Sequence, residues 1–274
     1  MDDPQPLFLV GNKRSGTSLL VRMLNQHPDI FVTPESDVIW LLYQLRKGWA
    51  SRLRRYPWDG PVGLRATLGV CGNLLRDRAA QSTAPEIPTL FRQIQEQVRC
   101  QGSRLRPVPD ERGLLWLGDK KPVQQCDPEI RPFLQQHFAN ARYLHMIRHP
   151  INVVASMMVA ARTWSPRGVP PYWHGTADEI MQRWAIHEEW VLDSICVDRV
   201  PVHTVRLEDL VRAPAQTTRA LFEFLGMALP PSVIAHLTRE VSEPPSGKPK
   251  EMRLNIPARA QRIMDRYGYS AAVS

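Results

Sequence analysis

Short apolar runs alternate along the chain with longer segments in which apolar residues recur at helical spacing. The first run, residues 7–10, is uniformly apolar and too short for an amphipathic helix, which is typical of a strand buried on both faces. After a small polar loop, apolar residues recur with helical periodicity from residue 19 to residue 24. The pattern predicts a strand, a loop and a helix at the start of the chain.

The alternation continues to residue 225. Further strands are predicted over residues 30–32, 114–117, 141–147 and 202–207, and helices over residues 177–197, over residues 214–225 and from Pro150 onwards. Residues 38–106 are mostly helical in pattern. Strands that alternate with helices predict an α/β domain with a central, mostly parallel sheet between two layers of helices.

Three polar clusters follow predicted strands, at residues 13–18, 119–121 and 148–150. The carboxyl ends of parallel strands lie at one edge of a sheet, and ligands bind in the crevice beyond that edge. We therefore expect the three clusters to converge on one site.

The first cluster belongs to the loop GNKRSGTS. Gly11 and Gly16 allow tight turns, and the amides that begin the following helix favour an anion. Arg14 adds a cation to these groups. The loop therefore predicts a phosphate or sulfate site, with a capped turn and an incidental arginine as the alternative. Its glycine spacing matches a Walker A loop, but Thr17 replaces the lysine, which argues against an NTPase.

Composition narrows the ligand and the cellular location. The net charge of +8 favours anionic partners without choosing among nucleotides, acidic acceptors, nucleic acid and membrane surfaces. The four cysteines lack CxxC spacing, which indicates reduced thiols rather than a zinc site or a disulfide framework. The acidic start MDDPQP and the lack of a long apolar run predict a cytoplasmic protein without a signal peptide or a membrane span.

The loop resembles the 5′-phosphosulfate loop of sulfotransferases that use 3′-phosphoadenosine 5′-phosphosulfate (PAPS), with Lys13 where many members have proline. A second motif of that family, an arginine at a strand end and a serine eight residues later, is matched by Arg148 and Ser156 in RHPINVVAS. The likeness is greatest to the tyrosylprotein-sulfotransferase-like branch, through RSGTSLLVRMLNQHPDI, TPESDVI, GDKKP, LEDLVRAP and FEFLG. It leaves residues 42–114 uncovered, where we expect a variable, mainly helical acceptor-side region.

The resemblance implies a single P-loop-like three-layer sulfotransferase domain over residues 1–274, with PAPS as the sulfuryl donor and no metal. The implied cofactor-binding residues are Arg14, Ser15, Gly16, Thr17, Ser18, Arg148 and Ser156. Lys248 lies in a Pro-rich loop that is a further candidate to close over the nucleotide. On the adenine side, Leu207 stands where relatives often have tyrosine. Trp184 matches a tryptophan of the long helix, although such a residue is more often part of the core.

Sulfuryl transfer requires cations near the reacting oxygens and a base for the acceptor hydroxyl. Arg14 is the first candidate for stabilising the leaving phosphate. Lys120 matches a lysine of the branch, and Lys121 competes with it because Asp119 replaces the usual asparagine. Glu35 matches the branch's catalytic glutamate, with a helix-capping role as the alternative.

Histidine bases are common in cytosolic sulfotransferases, and the candidates near strand ends here are His145, His149 and His203. Packed or solvated structural roles are the alternative for all three.

The sequence thus predicts a PAPS-dependent sulfotransferase that acts on an acceptor hydroxyl. A tyrosine in a peptide is slightly favoured over a glycan or a small natural product. The rival classes are a P-loop kinase or NTPase and a non-catalytic protein that binds nucleotides or nucleic acid. We expect neither a nucleic-acid nor a membrane partner, and a homodimer is left open.

Overall fold

A computed structural model of the protein describes residues 3–47, 86–101, 113–164, 175–242 and 254–270. Five strands form one sheet: β1 (Gln5–Gly11), β2 (Ile30–Pro34), β3 (Trp116–Lys120), β4 (Arg142–Ile147) and β5 (Val202–Arg206). They lie in the order β2-β3-β1-β4-β5, and every pairing is parallel. The predicted α/β fold with a mostly parallel sheet is confirmed, and all five described strands run in one direction.

Helices connect and cover these strands. They are α1 (Thr17–Leu24), α2 (Val38–Arg46), α3 (Ile87–Gln101), α4 (Arg131–His137), α5 (Pro150–Trp164), α6 (Ala177–Cys196), α7 (Leu207–Arg212), α8 (Pro214–Leu225), α9 (Pro231–Ser242) and α10 (Ala258–Arg266). A short 3₁₀ turn, Gln124–Cys126, follows β3. Within the described ranges, no helix is both long and apolar enough to cross a membrane.

The sheet is buried on both faces, as the uniformly apolar strands require. Along β1, Phe8 and Val10 pack with α2, α3 and α4, whereas Leu7 and Leu9 pack with α1, α8 and α9. A third cluster joins the end of β4 to α5, α6 and α10. Helices on both faces of the sheet make the three predicted layers.

Some predicted boundaries are wrong. The third strand was predicted over residues 114–117, but β3 continues through Asp119 and Lys120, whose side chains are fully buried. A buried polar side chain is stable where it has partners, and both residues have them, as described below. The helices α4, α7, α9 and α10 were not predicted. Of the proposed acceptor-side region, residues 48–85 and 102–112 lie outside the described residues.

Candidate active site

The three polar clusters lie at the carboxyl ends of β1, β3 and β4, which are neighbours in the sheet. Hydrogen bonds join the cluster after β1 to each of the other two, through Ser18 to Lys120 and through the Arg14 carbonyl to Arg148. The predicted convergence is therefore present in the fold.

Close packing against β4 and α7 explains the glycines of the first loop. At Gly11, with φ of +142°, a Cβ atom would lie 2.2 Å from the Met146 carbonyl oxygen. At Gly16, with φ of +95°, it would lie 2.9 Å from a methyl of Leu207. Arg14 also adopts a left-handed conformation, with φ of +68°. Such backbone persists in a non-glycine residue only where its surroundings hold it, and it is frequent in functional loops.

The loop directs polar groups inward. Ser15 is fully buried, and its Oγ has no hydrogen-bond partner within the part of the chain that the structure describes. Gly16 is the N-cap of α1, so the first amides of that helix face the loop with the positive end of the helix dipole. A buried hydroxyl beside a helix N-terminus suits an anionic group.

Two arginines and a serine lie on the β4 side of the loop. The Arg14 Nε donates to Ser156 Oγ at 3.1 Å, and the Arg148 guanidinium donates to the Arg14 carbonyl at 3.1 Å. Burial lowers the pKa of Arg148, while the carboxylate of Glu208 opposes this shift. The residues expected to bind the 3′-phosphate thus lie in direct contact with the first loop.

On the β3 side, Lys120 bridges two elements. Its Nζ donates to Glu35 Oε1 at 2.8 Å and to Ser18 Oγ at 3.3 Å. The Lys120 side chain is 0% exposed, whereas that of Glu35 is 60% exposed. Burial lowers the pKa of Lys120, and the negative charge of Glu35 opposes this effect. The ammonium is fixed inside the site, and the carboxylate is open to an approaching group.

The neighbouring lysine has a different environment. Lys121 Nζ lies 3.0 Å from Asp37 Oδ1, and both side chains are buried. Lys120 instead pairs in register with Leu9, whose side chain lies on the α1 face of the sheet. Of the two lysines, Lys120 contacts the loop, through Ser18, and Lys121 lies against Asp37 just beyond the strand. The geometry favours Lys120 over Lys121 as the site lysine.

The three candidate histidines all have structural partners. His145 Nε2 lies 2.9 Å from Glu188 Oε2, His149 Nε2 lies 2.9 Å from the Ser270 carbonyl, and His203 stacks on Phe224. Burial also lowers the pKa of His203. These contacts favour the structural interpretation over a catalytic base.

The adenine-side candidates are less informative. Trp184 is buried in the cluster formed with α5 and α10, which favours its core role. Lys248 lies outside the described residues.

Sequence reasoning missed a buried network behind the loop. The Asn12 amide donates to Glu188 Oε1 at 2.7 Å and to the Trp184 carbonyl at 3.2 Å. These residues are more than 170 positions apart, and no local pattern marks such a contact. Asn12 lies inside the loop GNKRSGTS, and its position in that motif is the sequence feature that could have marked it as a site residue.

A family model described as the sulfotransferase family matches residues 6–231. The sulfotransferase domain from the curacin biosynthetic pathway superposes with a TM-score of 0.65 at 20% identity, over 98% of this chain and 99% of that domain. The sulfotransferase domain from the Synechococcus PCC 7002 olefin synthase gives 0.61 at 20% identity, over 99% and 98%. Sulfotransferase STF9 from Mycobacterium avium gives 0.51 at 14% identity, over 97% and 76%.

Comparison with curated proteins gives no significant match. The structural likenesses show a shared fold, and the family model covers most of the chain. This chain therefore belongs to the sulfotransferase family.

Proposed function

We propose that the protein transfers a sulfuryl group from PAPS to an acceptor hydroxyl and releases 3′-phosphoadenosine 5′-phosphate. The observation that carries this proposal is the contact of Lys120 with both Glu35 and Ser18. It joins a buried cation, an exposed carboxylate and the phosphate-binding loop at one edge of the sheet. Such an arrangement suits group transfer to a hydroxyl.

The residues present fit PAPS. Arg14, Ser15, Gly16, Thr17 and Ser18 would hold its 5′ end, because this loop supplies helix amides, hydroxyls and a guanidinium. Arg148 and Ser156 would hold the 3′-phosphate, and Lys248 is a further proposed contact. When bound, PAPS supplies the sulfuryl group and a stable leaving bisphosphate.

The proposed chemistry divides among three side chains. Glu35 accepts the proton of the acceptor hydroxyl, because its carboxylate is the exposed member of the ion pair. Lys120 pairs with that carboxylate at 2.8 Å and holds a positive charge beside α1. Arg14 offers a second fixed cation, aligned by Ser156. Preorganised charges of this kind stabilise negative charge that develops during transfer.

The rival kinase function fits the site less well. The Walker lysine position is Thr17. The carboxylate near the end of the neighbouring strand β3, Asp119, points to the face opposite α1. That carboxylate already accepts hydrogen bonds from Thr33, Ser36 and Gln125. It is therefore poorly placed to bind magnesium beside the loop.

The acceptor is proposed from the motif resemblance and the net charge of the chain. A tyrosine in an acidic peptide is the first acceptor to test, because of the tyrosylprotein-like motifs and the basic net charge. A glycan or a small hydroxylated natural product is the alternative. Residues 42–114 are the proposed acceptor-side region.

Thermal unfolding with 3′-phosphoadenosine 5′-phosphate, compared with ADP and with ATP plus magnesium, tests the cofactor. A ligand that binds only the folded state raises the melting temperature. We expect a rise specific to the 3′-phosphorylated nucleotide and its loss in Arg148→Ala. A response to ATP and magnesium alone would contradict the proposal and favour the kinase.

A further inference from the structure

We propose that Asp119 is a positioning residue for the transfer reaction, because its buried carboxylate holds the turn that presents Glu35 to Lys120. This inference rests on the proposed function, and the experiment below distinguishes failure of the one from failure of the other.

The carboxylate of Asp119 is connected to both sides of that turn. Asp119 is fully buried on β3 and lies beside Thr33 in the parallel register with β2. Its Oδ1 accepts a hydrogen bond from Thr33 Oγ1 at 3.0 Å and another from Ser36 Oγ. Its Oδ2 accepts from Gln125 Nε2 at 2.9 Å. Two of the three donors, Thr33 and Ser36, therefore lie within two residues of Glu35, one on each side of it in the chain.

The turn needs this support because its backbone is unusual. Glu35 has φ of +49°, a left-handed conformation that a non-glycine residue keeps only where neighbouring contacts hold it. Its amide also donates to the Lys120 carbonyl at 2.7 Å. One short segment of β3 thus positions both members of the ion pair. Asp119 holds the turn from one face of the sheet, and Lys120 contacts the Glu35 carboxylate from the other.

The hydrogen bonds at Asp119 fit its ionised form. An ionised carboxylate is an acceptor only, and here it faces the Gln125 amide, the Ser36 hydroxyl and the Thr33 hydroxyl, whose one hydrogen is shared with the Gly118 carbonyl at 3.2 Å. If it were protonated, one oxygen would become a donor, and its acceptor capacity for these side chains would fall. The turn is therefore held best when Asp119 is charged.

Burial works in the opposite direction and raises the pKa of Asp119 to about 7. The hydrogen bonds from Ser36 and Thr33 and the charge of Lys121 lower this pKa, whereas the charge of Asp37 raises it. Lys120 on β3 and the neutral amide of Gln125 complete the polar surroundings. Ionisation of this one group therefore falls near neutral pH.

Stability and activity should consequently depend on pH in opposite ways. The folded-state pKa lies above the ordinary value of 3.8, so the protonated form stabilises the fold fully below about pH 4. That contribution is lost as the pH rises to about 7. Activity should rise over the same upper interval, because the charged form holds Glu35. If Asp119 had only a structural role, activity would instead fall together with stability as the pH rises.

The central test is the isosteric variant Asp119→Asn, assayed from pH 5.5 to pH 8.5 with PAPS and an acidic tyrosine peptide or another acceptor that gives turnover. The amide oxygen can still accept from Thr33 and Ser36, but it cannot ionise. We expect kcat at pH 8 to fall about fivefold, because a neutral acceptor forms the weaker hydrogen bonds. In the wild-type enzyme, kcat should rise with pH near pH 7, and this limb of the pH profile should disappear in the variant. The affinity for 3′-phosphoadenosine 5′-phosphate should change less than twofold. The stability of the variant relative to wild type should improve from pH 5 to pH 8.

Two further variants separate positioning from general destabilisation. Ser36→Ala removes one of the donors on the turn and should lower kcat in the same way. Asp198→Asn changes a carboxylate that accepts from Arg131 at 2.6 Å and 3.1 Å, in the connection that leads into β5. It should lower stability and retain the limb near pH 7.

The outcomes are distinct. A wild-type enzyme that neither binds 3′-phosphoadenosine 5′-phosphate nor turns over PAPS would overturn the proposed function, and with it this inference. An active wild-type enzyme whose pH limb and kcat persist in Asp119→Asn would overturn only the role of Asp119. Loss of the limb in Asp198→Asn as well would also overturn it.

Discussion

Two adjacent lysines at the end of β3, Lys120 and Lys121, have different surroundings. The ammonium of Lys120 lies on the loop side, between Glu35 and Ser18, whereas that of Lys121 is paired with Asp37 beside the start of α2. Both are buried charges, and a buried charge is tolerated only with a partner. The same substitution at the two positions should therefore have separate consequences for catalysis and for folding.

We expect Lys120→Met to lower kcat by about 100-fold or more, because it removes a preorganised positive charge from the site. Lys121→Met should remove the cation that lies 3.0 Å from the buried Asp37 carboxylate, and lower the free energy of unfolding by about 3–5 kcal/mol. Turnover of PAPS and urea unfolding of both variants provide the measurements. A larger kcat loss in Lys121→Met than in Lys120→Met, measured at a temperature where both are folded, would contradict this assignment.

The sequence could suggest which residues meet but not which way they point. The motifs containing Arg14, Arg148 and Ser156 follow strands whose ends meet in any parallel sheet, so their proximity was predictable. The choice between Lys120 and Lys121 depends on the position of β3 relative to its neighbours. The apolar pattern placed that strand too early, because buried polar residues in a strand look like loop residues.

At the scale of secondary-structure elements, the loop GNKRSGTS is attached to helix α6 through Asn12. Asn12 donates to Glu188 and to the Trp184 carbonyl, and its Oδ1 lies 3.1 Å from His187 Nδ1. Burial lowers the pKa of His187 to about 3, so the ring is neutral near pH 7 and can donate from Nδ1 to the amide oxygen. The Glu188 carboxylate continues the network to His145 on β4. The loop is thus held by the helix behind it.

Asn12→Ala should therefore affect both stability and nucleotide binding. We expect a loss of about 1–3 kcal/mol in the free energy of unfolding, because Glu188 would remain buried with one hydrogen bond fewer. We also expect about tenfold weaker binding of 3′-phosphoadenosine 5′-phosphate, because the loop would no longer be held in its binding conformation. Chemical denaturation and calorimetric titration measure the two effects.

Asn25→Ala is the matched control. Its side-chain amide donates to the Val32 carbonyl at 2.9 Å and accepts from the Val32 amide at 2.8 Å, at the far end of α1 from the loop. It should lower stability by a similar amount and leave nucleotide affinity within about twofold. Equal losses of affinity in the two variants would show that Asn12 acts on binding only through global stability.

The missed helix α10 packs on residues that are distant from it in the sequence. α10 is strongly polar, and it buries only Ala260, Ile263 and Met264 against a cluster built by α5 and α6. The helical spacing of these three apolar residues is visible in the sequence, but the surface on which they pack is built elsewhere in the chain. The helix that begins at Pro150 was predictable, because the strand, the Arg-His-Pro turn and the apolar spacing all lie within a few residues of one another.

At the scale of the whole molecule, the last described residues return to the site. The Tyr269 hydroxyl donates to Glu208 Oε2 at 3.0 Å, and Glu208 Oε1 accepts from the His149 amide at 2.9 Å. The His149 ring in turn lies 2.9 Å from the Ser270 carbonyl. These contacts hold the turn that carries Arg148 at the start of α5. The carboxyl-terminal segment therefore supports the proposed 3′-phosphate site without being part of the motif that marks it.

Tyr269→Phe removes the hydroxyl donor from this connection. We expect about fivefold weaker binding of 3′-phosphoadenosine 5′-phosphate, which corresponds to the loss of about one hydrogen bond of support. The affinity for adenosine 5′-monophosphate should not change, because that nucleotide lacks the 3′-phosphate. Calorimetric titration with the two nucleotides isolates the effect.

Tyr43→Phe is the control for that measurement, because the Tyr43 hydroxyl also donates to a carboxylate, Glu129 Oε1, at 2.8 Å. It should cost a similar amount of stability, about 1 kcal/mol, without changing either affinity. Equal weakening of both nucleotides in Tyr269→Phe would instead mean that the carboxyl-terminal segment supports the adenosine or the 5′-phosphate. Arg148 would then be held in place by β4 and by its contact with the Arg14 carbonyl, independently of Tyr269.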